Sequence, residues 1–101
     1  MNLYHASNRA LPIGESLRTP TGHSSTSLDV TSGGVVYMVE TPAQCSRYGA
    51  YVYKIEVAGG NAVRYAEQRR RQGLPPKKSR YTRGVWVARP EYTTIRQRVD
   101  V

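Results

Sequence analysis

Tyr51-Val52-Tyr53-Lys54-Ile55-Glu56-Val57 sets large apolar side chains at 51, 53, 55 and 57, with Lys54 and Glu56 pointing the other way. A period of two in a β-branched and aromatic run predicts a strand with one buried face. Gly59-Gly60 break it. Downstream, Asn61 is a candidate N-cap for a helix over about 62–72, with Gly73 closing it and Pro75-Pro76 beyond. Val85-Trp86-Val87-Ala88 and Thr93–Val99 read as two more strands.

Upstream, Thr41 with Pro42 behind it predicts the start of a short helix through about Tyr48, which Gly49 stops. Val35–Val39 is a further β-branched run, and residues 19–34 form a long polar loop. Leu11, Ile13 and Leu17 suggest a small apolar anchor. Leu3-Tyr4-His5 is a short apolar start, and Ala6-Ser7-Asn8 reads as a turn. Strands and helices do not alternate in βαβ fashion. The expectation is an α+β fold over residues 1–101 as one small domain: a mixed or antiparallel twisted sheet of four to six strands with two short helices.

A chain of 101 residues suits a single core. It holds no apolar run near the roughly 18 residues of a membrane span. Met1–His5 lacks the basic start and apolar stretch of a signal peptide. The single Cys45 forms no internal disulfide, and with only His5 and His23 beside it the inventory makes no Cys-rich zinc site. A cytoplasmic, metal-free domain with no membrane partner is expected.

The net charge of +8 is concentrated. Residues 1–63 carry four basic and four acidic side chains, whereas residues 64–98 carry eleven basic groups against Glu67 and Glu91. The dense stretch includes Arg64, Arg69, Arg70, Arg71, Lys77, Lys78, Arg80, Arg83 and Arg89. Like charges so close repel one another unless a partner compensates them, so nucleic acid or an acidic protein surface is a candidate partner of residues 64–89. A solvated helix face and loop is the plainer alternative.

Several catalytic classes fall on inventory. No Gly-rich phosphate loop is present, no Ser or Cys45 lies in a nucleophile elbow, and the few acids are too scattered for a glycosidase pair.

Leu3-Tyr4-His5-Ala6-Ser7, then Ile13-Gly14 and Leu17, then Val36-Tyr37-Met38-Val39 with Thr41-Pro42-Ala43, resembles the ADP-ribosyltransferase superfamily. Arg47-Tyr48-Gly49 before the 51–57 strand, and Gly84-Val85-Trp86-Val87 followed by Pro90 and Tyr92, are similar to segments of its RNA 2′-phosphotransferase branch. The resemblance implies an ADP-ribosyltransferase-like fold with NAD as cofactor. It implies that His5 hydrogen-bonds the adenosine ribose, a task an imidazole suits at neutral pH. Ala6 would offer its backbone to the nicotinamide amide where glycine is usual, Ser7 would close the motif, and Tyr37 would stack on the nicotinamide ring. On residue type alone, without the joint pattern, His5 reads first as an ordinary strand-end histidine and Tyr37 as a core residue.

One departure bears on chemistry. The superfamily places a Glu just before the strand matched by Val85-Trp86-Val87, to stabilise positive charge developing on the sugar. Here the place reads Thr82-Arg83-Gly84. Arg47, Arg83 and Glu67 are the candidate catalytic residues that remain. Three readings stay open: transfer of ADP-ribose to an unidentified, anionic or nucleic-acid-associated target without that carboxylate; an RNA 2′-phosphotransferase-like site built on arginines such as Arg47; or a catalytically degenerate basic module that binds nucleic acid or a host protein, as a small phage-type effector would. In the last two, Arg69, Arg70, Arg71, Lys77, Lys78 and Arg80 would be the anion-binding set, with Tyr65, Tyr81 and Trp86 available for stacking. The winged-helix lobe of the phosphotransferases has no counterpart in this sequence.

Overall fold

The computed structural model describes residues 2–17, 35–45 and 48–100, with Arg80 and Tyr81 described by backbone alone. The polar stretch 19–34 and Arg47 lie outside the described residues. Six strands make one sheet: β1 (Asn2–Ser7), β2 (Val36–Val39), β3 (Tyr51–Val57), β4 (Val63–Arg64), β5 (Val85–Ala88) and β6 (Thr93–Val99). Their order is β4-β5-β2-β1-β3-β6, and every neighbouring pair is antiparallel. The helices are short: α1 (Pro42–Cys45), α2 (Tyr65–Arg71) and α3 (Ser79–Thr82), with a 3-10 turn at Pro90–Tyr92. This is an α+β architecture, and among the described residues no helix is long and apolar enough to cross a membrane.

The sheet is apolar on both faces. One face carries Leu3, Val36, Met38, Tyr53, Ile55, Ala88 and Ile95, closed by Leu17 from the N-terminal loop. Leu3 and Ile55 are fully buried, each worth about 1.5–3 kcal/mol over an exposed side chain. The loop is fastened by polar bonds: Leu11 N–H donates to the Tyr53 hydroxyl at 2.8 Å, and Leu17 N–H to Thr93 Oγ1 at 2.9 Å. Gly14 N–H donates to the Ile95 carbonyl, and Ile95 N–H to that of Glu15. Those two bonds cover part of the outer edge of β6, which would otherwise offer unpaired backbone.

The second face holds two clusters, Val39, Cys45 and Val52 under α1, and Val35, Tyr65 and Val87 under α2. Val52 therefore differs from its polar neighbours Lys54 and Glu56: α1 covers that end of β3, and the valine is 2% exposed.

Three boundaries differ from expectation. Ala6 and Ser7 continue β1 instead of turning, because β3 pairs with β1 through Ser7↔Tyr51. Residues 63–64 join the sheet as β4 before the helix begins, and Asn61 caps no helix; its side-chain amide donates to the Ala58 carbonyl within the β3–β4 turn. Four residues at 79–82 add a helical turn the sequence did not announce.

Two of the expected helix ends have their chemistry, the start of α1 at Thr41 and the close of α2 at Gly73. At α1 the Gln44 Oε1 accepts from both the N–H and the hydroxyl of Thr41, one half of a capping box, while Gln44 N–H donates to the Thr41 carbonyl. After α2, Gly73 adopts φ +71°, its N–H donating to the Arg70 carbonyl, while Leu74 N–H donates to that of Arg69. This is a Schellman motif, and Leu74 packs back onto the Tyr65 cluster.

Candidate functional site

β1 and β2 lie side by side in the sheet but share one registered pair, Tyr4 opposite Val39, whereas β1 and β3 share six. Past that pair the His5 imidazole bridges the two strands. Its ring nitrogen Nδ1 lies 2.8 Å from the Tyr37 carbonyl. A carbonyl only accepts, so Nδ1 carries the proton and Nε2 is left as an acceptor in the neutral ring. Burial pushes the His5 pKa below its ordinary value, and the bond to Tyr37 only partly offsets it. The imidazole is neutral at pH 7.

A cavity of about 350 Å³ opens at this seam, lined by His5, Ala6, Tyr37, Cys45, Tyr48 and Tyr65 among others. Strand alternation assigns His5 to the face of Leu3 and Tyr37 to the opposite one, yet both line this cavity because the ladder stops between them. Tyr37 meets Tyr65 edge to face, with centroids 5.5 Å apart and planes at 87°. Tyr48 stands at 65% exposure among the same lining residues. The Cys45 thiol is buried and its pKa is pushed up to about 11 by desolvation, so it is no nucleophile at neutral pH.

His5 and Ala6 also line a second hollow of about 500 Å³ towards the N-terminal loop, where Ser7, Arg9 and Glu15 supply polar groups. Ser7 belongs to this hollow and not to the aromatic cavity.

The expected catalytic and anion-binding residues are dispersed. Glu67, on α2, pairs with Arg70 and Arg71, and the Arg70 hydrogen bond holds its carboxyl below the usual range. It lines no part of the aromatic cavity, and neither does the exposed Arg83. Arg47 lies outside the described residues. Arg69 departs furthest from its expected role: it is only 9% exposed, Nε and Nη2 donate to the Pro75 carbonyl at 3.1 and 2.7 Å, and Nη1 lies 3.5 Å from the Tyr65 hydroxyl. It is a structural tie within the fold. Arg89 pairs with Glu91, and Arg64 lies 5.0 Å over the Trp86 ring. Trp86 packs partly against the core, and its indole Nε1 is buried without a hydrogen-bond partner among the described residues. The stretch 64–89 is therefore partly self-compensated and not a uniform basic face.

An acid does lie beside Gly84, supplied from another strand. Glu40 follows β2, its N–H donates to the Gly84 carbonyl, and a Cβ added at 84 would come within 3.0 Å of its Oε1. Nothing local in the sequence signals this; it follows from the β2–β5 register, in which Val39 faces Val85. Among the described residues no cluster of three or more His, Cys, Asp or Glu could hold a metal ion. Compared with known proteins, the chain matches no family model, no curated protein and no solved structure, so the functional reading rests on its own residues.

Proposed function

We propose that this chain is an ADP-ribosyltransferase-like protein that binds NAD, with the nicotinamide end in the cavity at the β1–β2 seam. The observation that carries the reading is that His5 and Tyr37, far apart in sequence, line one cavity and are tied to each other by a hydrogen bond. The chemistry of the lining suits this ligand. Tyrosines from four separate segments, Tyr4, Tyr37, Tyr48 and Tyr65, give a planar amide-bearing ring surfaces for stacking or edge contacts, each worth about 1 kcal/mol beyond area burial. The free Nε2 of a neutral His5 accepts from a ribose hydroxyl. At about 350 Å³ the cavity is at the small end of ligand pockets, which run from roughly 300 to 1,000 Å³. It suits one end of a dinucleotide, and the remainder would pass over the rim.

ADP-ribose transfer breaks the bond between the ribose C1′ and the nicotinamide nitrogen, joins C1′ to the acceptor's nucleophile and releases that nucleophile's proton to solvent. Glu40, beside Gly84, stands next to the position at which the resemblance expects a carboxylate, though like Glu67 it does not line the cavity. A purely nucleic-acid-binding module has less support, because Arg69 is buried and Arg70, Arg71 and Arg89 already face carboxylates.

Calorimetric titration with NAD separates these readings. Saturable binding that weakens about tenfold or more in His5→Ala and Tyr37→Ala supports the nucleotide site, since each removes about 1.4 kcal/mol or more. The opposing result is an affinity for RNA that falls steeply with salt and ignores both substitutions, with no response to NAD.

A further inference from the structure

We infer that Lys77 is the residue that meets the phosphate of a ligand seated in the aromatic cavity; this rests on the reading of that cavity as a nucleotide site. The sequence presents Lys77 as one of many like charges. The fold singles it out by the way the chain turns back after α2.

That turn is built by three interactions. The Schellman motif at Gly73 reverses the chain and drops Leu74 onto the Tyr65 cluster. Arg69, four residues along α2 from Tyr65, then fastens the next residue by two bonds to the Pro75 carbonyl. Its guanidinium also lies 5.8 Å from the centre of the Tyr65 ring. Pro76 follows and restricts the backbone at 75 and 76. With the loop so held, the Lys77 ammonium comes within 5.6 Å of the centre of the Tyr65 ring, and Tyr65 is a wall of the cavity.

Among the described residues Lys77 makes no ion pair, whereas Arg70, Arg71 and Arg89 each have a carboxylate. Arg69 is buried, with each of its three guanidinium nitrogens bonded within the fold. Of the two described cations set against the Tyr65 ring, Arg69 and Lys77, the one without a hydrogen bond or ion pair is Lys77, and its exposed ammonium keeps three donors available. The lining itself is almost wholly apolar, aromatic and uncharged at pH 7. A ligand with a planar ring and an anionic tail would place the ring among the tyrosines and the tail towards this cation. The tail is a phosphate or diphosphate attached through a short sugar-sized spacer.

The experiment titrates the full chain with nicotinamide, nicotinamide mononucleotide and NAD, by calorimetry at low salt. Lys77→Ala is expected to lose about tenfold in affinity for the two phosphorylated ligands, the scale of one charge-assisted hydrogen bond, and nothing for nicotinamide. Lys77→Arg should restore most of that loss, and Arg98→Ala, which removes an exposed cation over the Tyr51 ring on β6, should match the wild type. Arg69→Ala should lower the ratio of mononucleotide to nicotinamide affinity in the same sense, a readout that general destabilisation would not move selectively. The inference is overturned if Lys77→Ala binds the mononucleotide as the wild type does while nicotinamide still binds. An equal loss in Arg98→Ala overturns it too, because diffuse charge would then suffice. A wild type that ignores all three ligands at millimolar concentration ends the NAD reading itself, and this inference with it.

Discussion

Gly49 stands where α1 has ended and β3 has not begun, with no unusual backbone angle to explain its identity. The reason is contact. A Cβ at 49 would lie 2.7 Å from the carbonyl carbon and oxygen of Ser7 and 2.9 Å from its nitrogen, all backbone atoms. Ordinary contact begins near 3.4 Å, so about 0.7 Å must be found. β1 cannot yield it cheaply, because Ser7 is registered against Tyr51 at the end of a six-pair ladder. Gly49→Ala is therefore expected to destabilise by about 1–3 kcal/mol, the usual cost of overpacking. For a domain of this size that lowers the melting temperature by about 5–20 °C. Because Ala6 and Tyr48 are the chain neighbours of the clash and both line the cavity, NAD affinity should fall with it. Circular dichroism melts and titration with NAD read the two effects. Gly60→Ala is the comparator: φ is +68° with nothing within 4 Å, so about 1–2 kcal/mol of backbone strain is expected and no change in affinity. A Gly49→Ala protein that melts within about 2 °C of the wild type and binds NAD equally well would refute the close-approach argument.

Two further outcomes follow from the buried groups of the same cavity. The folded pKa of His5 lies below its ordinary 6.5, so the unfolded chain takes up a proton that the native ring resists. Stability should then be full above about pH 6.5 and decline as the pH drops through and below that value; melts between pH 8 and pH 5 should show this slope, and His5→Gln should flatten it. Cys45 is buried with its thiol pushed up to about 11, so iodoacetamide at pH 8 should label the native chain far more slowly than the unfolded one; equal rates would contradict the packing under α1.

Where side chains alternate or β-forming residues cluster, the sequence was legible: β3 follows its alternation, and β5 and β6 follow β-rich runs, each with the bounds the sequence suggests. β1 extends further than its pattern suggests, since Ala6 and Ser7 are small and their strand character comes from the pairing with β3. β4 has two residues, too few to carry a period. His5 and Tyr37 were identifiable as a pair, but alternation alone would separate them, and only the interrupted β1–β2 ladder brings them to one cavity. Charge was the least readable property. Arg69, Arg70 and Lys77 are equivalent in a list of basic residues, yet one is buried in the fold, one is paired with Glu67 and one stands over an aromatic wall. Glu40 was invisible as a partner of position 84, because strand register, unlike composition, cannot be counted along the chain.

The most direct measurement is a nuclear magnetic resonance titration of the full chain with NAD, following the ring signals of His5, Tyr37, Tyr48 and Tyr65. The account predicts saturable shifts in all four rings at a common affinity, with His5 remaining neutral at pH 7. Rings that stay unmoved at millimolar NAD, or a response confined to residues outside the β1–β2 seam, would contradict it.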